Sequence, residues 1–130
     1  MNDEARAALA RAKARLDRLE LYPRPVRTGR VRLYTVPWFF RLPRLRRFDG
    51  FAAYFLILLR KPVAETSDEL ITHELCHVWQ MQHAPLRMPL SYLRTGYVRS
   101  SWEAEARRAA DETREPDAPP PHPESPSGPE

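Results

Sequence analysis

Apolar positions along the chain fall into patterned stretches separated by polar or proline-rich breaks. From Asp3 to Leu21 the sequence is rich in Ala, Arg and Leu and free of Gly and Pro, with Leu9, Leu16 and Leu19 at near-helical spacing. A helix is expected there, ended before Tyr22-Pro23-Arg24-Pro25, and its thin apolar stripe predicts that it lies on the domain surface. Residues 26–36 alternate apolar and polar after Gly29, which places Val31, Leu33 and, next in the alternation, Thr35 on one side of a strand. Pro37-Trp38-Phe39-Phe40 and Pro43 break that strand. Arg41, Arg44, Arg46 and Arg47 then make a basic, aromatic-edged connection; its aromatics are expected to turn into the core, with a base-stacking surface as the alternative. Asp49-Gly50 signals a turn. Phe51 to Leu59 is dense in aromatic and branched residues, and Ala53 to Lys61 reads as a second strand, stopped by Pro62.

The period then changes from two to 3.6. Thr66-Ser67-Asp68 supplies an N-cap and Glu69 an acidic first turn for a helix from about Asp68 to Gln82, ending near His83-Ala84-Pro85. Ile71, Leu75, Val78 and Trp79 form its apolar face. Leu86 to Ser101 is semi-apolar at helical spacing, with a break at Gly96. Trp102 to Ala110 reads as another helix, whose Glu103 and Glu105 stand beside alanines small enough for close packing. From Glu115 onward half of the chain's 14 prolines crowd together with Glu, Ser and Gly, and this composition predicts a disordered tail that includes His122. The expected organisation is one α+β domain over residues 1–114, with its core at about 26–112, followed by the tail 115–130.

A length of 130 residues suits a single domain with a modest core. The longest apolar run, Phe51 to Leu59, is about half of the ~18 residues that a membrane span needs, so no span is expected. The acidic start, Met1-Asn2-Asp3-Glu4, lacks the basic and apolar regions of a signal peptide, which points to a cytoplasmic location. A single cysteine, Cys76, allows no internal disulfide and agrees with a reducing compartment. The net charge of +4 is unevenly spread: residues 1–60 carry fourteen Arg and Lys against five Asp and Glu, and residues 61–130 seven against twelve. The basic half can meet an anionic partner, but no recognised nucleic-acid motif accompanies it, and heavy use of Arg also follows from codon bias, so nucleic-acid binding ranks last.

The candidate chemistry lies in Thr72-His73-Glu74-Leu75-Cys76-His77-Val78-Trp79-Gln80, which holds the pattern H-E-x-x-H inside the helical stretch. At about 100° per residue, His73 and His77 share one face a turn apart, the separation two imidazoles need to reach one metal ion. Glu74 stands on the flank of that face, where it can serve a water as general base without being a ligand. A catalytic zinc site also needs a third protein ligand. His83 lies six positions after His77 and off the metal face. Cys76 would crowd three donors onto one turn, and it reads instead as a small buried flank residue. Glu103 and Glu105 are the carboxylate candidates, against the plainer reading of a solvated helix face.

His73-Glu74-Leu75-Cys76-His77 with a downstream Glu resembles the gluzincin zinc metallopeptidases, and His77-Val78-Trp79-Gln80 is similar to small bacterial domains of unknown function whose metal helix reads HELxHVxQ. The resemblance covers about residues 50–110. It implies a zincin-like domain with Zn2+ held by His73, His77 and Glu103, since Ala106 completes Glu-x-x-Ala after Glu103; Glu105 is the alternative ligand. Arg107 departs from the pattern, standing where a partner for a metal-bound imidazole is usual, a role Glu105 can take. Tyr97 is the candidate oxyanion donor, with Tyr92 as alternative and a core tyrosine as the plain reading. The implied function is a zinc-dependent peptide-bond hydrolase, Glu74 activating a zinc-bound water against a peptide or protein substrate. The alternative is a non-enzymatic zinc-binding interaction protein of the same fold with a basic N-terminal half. In cleft-type proteases the strand preceding the metal helix forms the edge that an extended substrate pairs with, and Ala53 to Lys61 is expected in that role.

A Pro-rich, weakly apolar tail cannot bury enough surface to offset its ordering entropy, so truncation after Arg114 is expected to leave the melting temperature nearly unchanged. A thermal melt of the 1–114 chain that falls by more than a few degrees would show that the tail docks.

Overall fold

The computed structural model describes residues 1–88 and 101–114. Tyr97, Tyr92 and the tail from Glu115 lie outside the described residues. Helix α1 runs Asp3–Leu16, with the Asn2 side chain accepting from the Ala5 N–H at 2.8 Å, Asp3 and Glu4 in its first turn and Lys13 and Arg15 in its last. Charges of those signs complement the helix dipole. The helix is shorter than the Asp3 to Leu21 pattern suggests: the Arg18 and Leu19 N–H groups donate to Arg15 and Leu16 carbonyls, tightening the chain into a turn ahead of Pro23. α1 lies on the surface as expected, with Glu4, Ala7, Arg11 and Ala14 exposed, but its buried face is broader than the leucines suggest. Ala5, Ala8, Leu9, Ala12 and Leu16 are all buried, because alanines at three- and four-residue intervals widen the stripe that the leucines alone leave thin.

The sheet has three strands, β1 Arg32–Thr35, β2 Gly50–Ala53 and β3 Leu56–Leu59, in the order β1-β3-β2. β1 is parallel to β3, with Arg32 opposite Leu56 and Thr35 opposite Leu59. β2 is antiparallel to β3, with Ala53 opposite Leu56 and Gly50 opposite Leu59. In β1 Leu33 is buried as the alternation predicts and Val31 is buried just ahead of it, whereas Thr35 is exposed. The single strand expected over Ala53 to Lys61 is corrected: the chain reverses at Tyr54-Phe55, so β3 occupies the centre of the sheet and β2 its edge. Tyr54 adopts the left-handed region (φ 28°), costly for a non-glycine residue. Tertiary contacts hold it there: its hydroxyl donates to the Pro85 carbonyl at 2.6 Å, and its N–H lies 3.3 Å from the Met81 sulfur. Asp49-Gly50 leads into β2 rather than forming that reversal, and Asp49 pairs with Arg60 at 3.4 Å.

Between β1 and β2, Pro37–Arg41 forms a 3-10 helix. Successive side chains of such a helix point a third of a turn apart, so consecutive aromatics cannot share one direction. Phe40 is buried, Phe39 is half-buried and Trp38 is 64% exposed, which corrects the expectation that this cluster turns inward as a whole.

Helix α2 runs Asp68–His83, capped by the Ser67 hydroxyl, which accepts from the Leu70 N–H at 3.1 Å. Helix α3 runs Ser101–Glu112 and buries Ala106, Ala109 and Ala110. The two are antiparallel: Arg114 reaches Glu69 at 3.1 Å at one end, and Gln80 donates to the Trp102 carbonyl at 2.8 Å at the other. Arg11 of α1 forks onto both oxygens of Asp68 at 3.0 and 3.1 Å. Gln82 pairs with both backbone groups of Arg27, and Trp79 donates to the Arg24 carbonyl, tying the α1–β1 connection to the end of α2. Leu33, Ile57, Leu59, Ile71, Leu75 and Val78 fill the space between helices and sheet, completing an α+β arrangement. No helix among the described residues is long and apolar enough to cross a membrane.

Leu16 is fully buried at the end of α1, so Leu16→Ala is expected to cost about 2–5 kcal/mol in urea unfolding, as in a protein core. Leu21→Ala, at a 37% exposed position beyond the helix, is expected to stay within about 0.5 kcal/mol of the parent. Equal small effects at the two positions would show that α1 does not pack on the core.

Candidate metal centre

Two turns of α2 and the start of α3 supply the site. His73 and His77 stand one helical turn apart, their ring centroids 4.8 Å apart and their planes at 83°. Glu103 reaches across from α3 and gives one oxygen to each imidazole: Oε2 lies 2.8 Å from His73 Nε2 and Oε1 lies 2.8 Å from His77 Nε2. The ligating atoms of these three residues all lie within 4.8 Å of one another, and among the described residues this is the group able to hold a metal ion. Two imidazoles and a carboxylate are donors that suit zinc, and three protein donors leave a fourth position open.

The ionisable groups here are strongly displaced. Burial by itself would raise Glu103, but the hydrogen bonds from both histidines outweigh it and hold the carboxyl well below the usual carboxylate range. Burial would lower His77, yet the bond to Glu103 and the charges of Glu74 and Glu103 together raise it. The two shifts favour imidazolium and carboxylate forms, so protons and a metal would compete for the same nitrogens.

Glu74 follows His73 on α2 and does not belong to the three-residue group. Its side chain is only 4% exposed, and burial raises its pKa; the neighbouring His77 and His73 oppose that shift and Glu103 adds to it. The carboxylate lies against Gly50 at the start of edge strand β2. A Cβ at Gly50 would come within 2.9 Å of Glu74 Oε2, 3.0 Å of Cγ and 3.1 Å of Cδ, so only glycine leaves the carboxylate where it is.

Gln80 sets the orientation of His77. Its amide nitrogen donates to the Trp102 carbonyl at 2.8 Å and to Glu105 Oε1 at 2.9 Å, both of which can only accept. Its Oε1, 2.8 Å from His77 Nδ1, must therefore accept the Nδ1–H hydrogen bond, which leaves Nε2 as the nitrogen facing Glu103. Glu105 Oε1 also accepts the Tyr22 hydroxyl, whose pKa is raised by burial and by this bond. Glu105 thus stands outside the three-residue group and backs Gln80. Arg107 lies 3.4 Å from Glu103 Oε2, one helical turn along α3, and steadies the carboxylate instead of a histidine. Cys76 is buried and free, its thiol pushed up to about 12 by burial and by the nearby Glu105 and Glu103. His83 is exposed and stacks on Tyr22 with ring centroids 4.3 Å apart, away from the group.

Gln80 and Gly50 escape a search for ligands and bases alone. Gln80 is nevertheless visible as the last letter of the HELxHVxQ similarity, three residues after His77 and so on the same helix face. Gly50 carries only a turn signal.

Metal titration of single variants separates the roles. Glu103→Ala is expected to lose far more zinc affinity than Glu105→Ala or Cys76→Ala, and Gln80→Ala to lose about 10–100-fold while remaining folded. Parent-like affinity in Glu103→Ala would remove it from the ligand set. No family model, no curated protein and no solved structure matches this chain, so the site is read from its own geometry.

Proposed function

We propose that this chain is a zinc-dependent peptide-bond hydrolase of zincin-like fold, with His73, His77 and Glu103 as the metal ligands and Glu74 as general base. The observation that carries the reading is the placement of Glu74: a buried carboxylate with a raised pKa beside, and outside, a two-imidazole, one-carboxylate group. A structural site has no use for a base there. Zinc, when bound, supplies Lewis acidity and brings the pKa of its water to about 7. Glu74 accepts the proton of the attacking water and hands it to the leaving amine. Gln80, bonded to Nδ1 of His77, would leave Nε2 as the nitrogen that could hold the metal, and Arg107 steadies Glu103.

The substrate edge belongs to β2. β2 has a sheet neighbour, β3, on one side, and an extended peptide added along the other side passes Gly50 and hence the Glu74 carboxylate. The role first expected of Ala53 to Lys61 therefore moves one strand earlier, because β3 is paired on both sides. Tyr97, outside the described residues, is carried as the candidate oxyanion donor, with Tyr92 as the alternative. A reducing cytoplasmic setting suits the free, buried Cys76.

Glu74→Gln preserves size and shape but cannot take a proton. The variant is expected to fold and to keep its zinc, yet to lose hydrolysis by about 10²–10⁴-fold. Gly50→Ala, which displaces the same carboxylate, is expected to do likewise. A proteome-wide cleavage comparison of parent and Glu74→Gln supplies the readout, since every cellular peptide is offered at once and no substrate has to be chosen. Identical cleavage by the two zinc-loaded proteins would end the enzymatic reading in favour of a non-enzymatic zinc-binding interaction protein.

A further inference from the structure

The segment Pro37–Phe48 presents a basic surface with apolar side chains among its cations. It carries Arg41, Arg44, Arg46 and Arg47 and no acidic residue. All four arginines are exposed, and among the described residues no ion pair engages Arg41, Arg44 or Arg46. Interspersed with them are two large apolar side chains left in water, Trp38 at 64% and Leu42 at 46% exposure. The backbone beneath is held firmly. Phe40 is buried, with the Arg60 guanidinium 5.4 Å from its ring, and Phe39 packs on Phe51 of β2 at 5.2 Å. That guanidinium also donates to the carbonyls of Leu45, Arg46 and Phe48. Arg60 further pairs with Asp49, the nearest carboxylate along the chain, which is thereby diverted from the four arginines. A loop stapled in this way offers its cations and apolar groups with little ordering entropy left to lose on binding.

We propose that this segment docks the protein onto an anionic phospholipid surface, the four arginines meeting lipid phosphates while Trp38 and Leu42 enter the headgroup–acyl boundary. Charge complementarity selects an anionic partner, since a run of four exposed arginines attracts anions and repels cationic surfaces. The apolar groups select lipid over nucleic acid. Trp38 alone would serve a stacked base equally well, but an exposed leucine has no ring to stack and gains by leaving water for hydrocarbon. Guanidinium groups bind phosphate oxygens bidentately, which suits a headgroup layer better than single point charges do. The proposal does not rest on the metal centre.

The test uses the full chain and vesicles of phosphatidylcholine with and without phosphatidylglycerol, read by co-sedimentation and tryptophan fluorescence. Binding is expected on the anionic vesicles only, weakening as salt rises, with a blue shift of emission that disappears in Trp38→Phe. Arg44→Glu/Arg46→Glu, both at exposed positions, is expected to reduce partitioning about tenfold or more while leaving the melting temperature unchanged. Leu42→Ser is expected to weaken binding without altering its salt dependence. The proposal is overturned by equal binding to neutral vesicles, by no binding to anionic ones, or by variants that partition like the parent. It is also overturned if a single-stranded oligonucleotide binds more tightly than the vesicles at the same salt.

Discussion

A carboxylate at 2% exposure between two helices is tolerable only when partners reach it, and for Glu103 those partners are the imidazoles of His73 and His77. The requirement fixes the register of α3 on α2. A slip of one turn would leave Glu103 buried against apolar side chains and the histidines without an anion. Alanines at 106, 109 and 110 make the approach close enough for a side chain as short as glutamate to serve both rings. Because α2 also packs on α1 and on β2, the register of one helix pair propagates through the domain. The antiparallel pair is closed at its far end by Arg114 and Glu69, which are partly exposed and contribute much less than the buried bridge.

Behind the bridge the polar groups satisfy one another in a chain. His77 leans on Gln80, Gln80 on Glu105 and on the Trp102 carbonyl, and Glu105 on Tyr22. Each member has one arrangement in which donors meet acceptors, so the chain behaves as a unit, and its orientation is set by groups that can only accept. A buried glutamine flanked by two acceptors is a better clamp for an imidazole than a carboxylate would be: it takes the Nδ1 proton without adding another negative charge to a pocket that already holds Glu74 and Glu103.

The parts of this structure legible in the sequence are those where local signals and tertiary packing agree. Helix α2 lies within a residue of its expected ends because Ser67 caps it and Ala84-Pro85 stop it. His73 and His77 share a helix face as their spacing suggests, and Glu103, singled out over Glu105 by the family resemblance, lies beside them. The failures share a different cause. The reversal at Tyr54-Phe55 has no glycine or asparagine to announce it, and it forms because Pro85 and Met81, some thirty residues on, anchor a strained tyrosine. The breadth of α1's buried face is hidden when leucines are counted and alanines carry the contact. Trp38 stays in water because a 3-10 helix cannot point three successive aromatics at one core.

The two site carboxylates illustrate how position on adjacent elements separates chemical roles. Glu103 and Glu74 are both buried, so desolvation pushes both upward. Glu103 receives hydrogen bonds from two imidazoles, which reverse the shift and lock it as an anion, the state a metal ligand needs. Glu74 lies beside the same imidazoles and is influenced by their charge, yet its flank is closed by Gly50, whose lack of a side chain leaves burial in control. Environments that drive two like groups in opposite directions are the usual mark of divided acid–base labour. The surroundings of each residue, and not only the order in which they occur in the chain, are what support the proposed division, Glu103 to the metal and Glu74 to the proton.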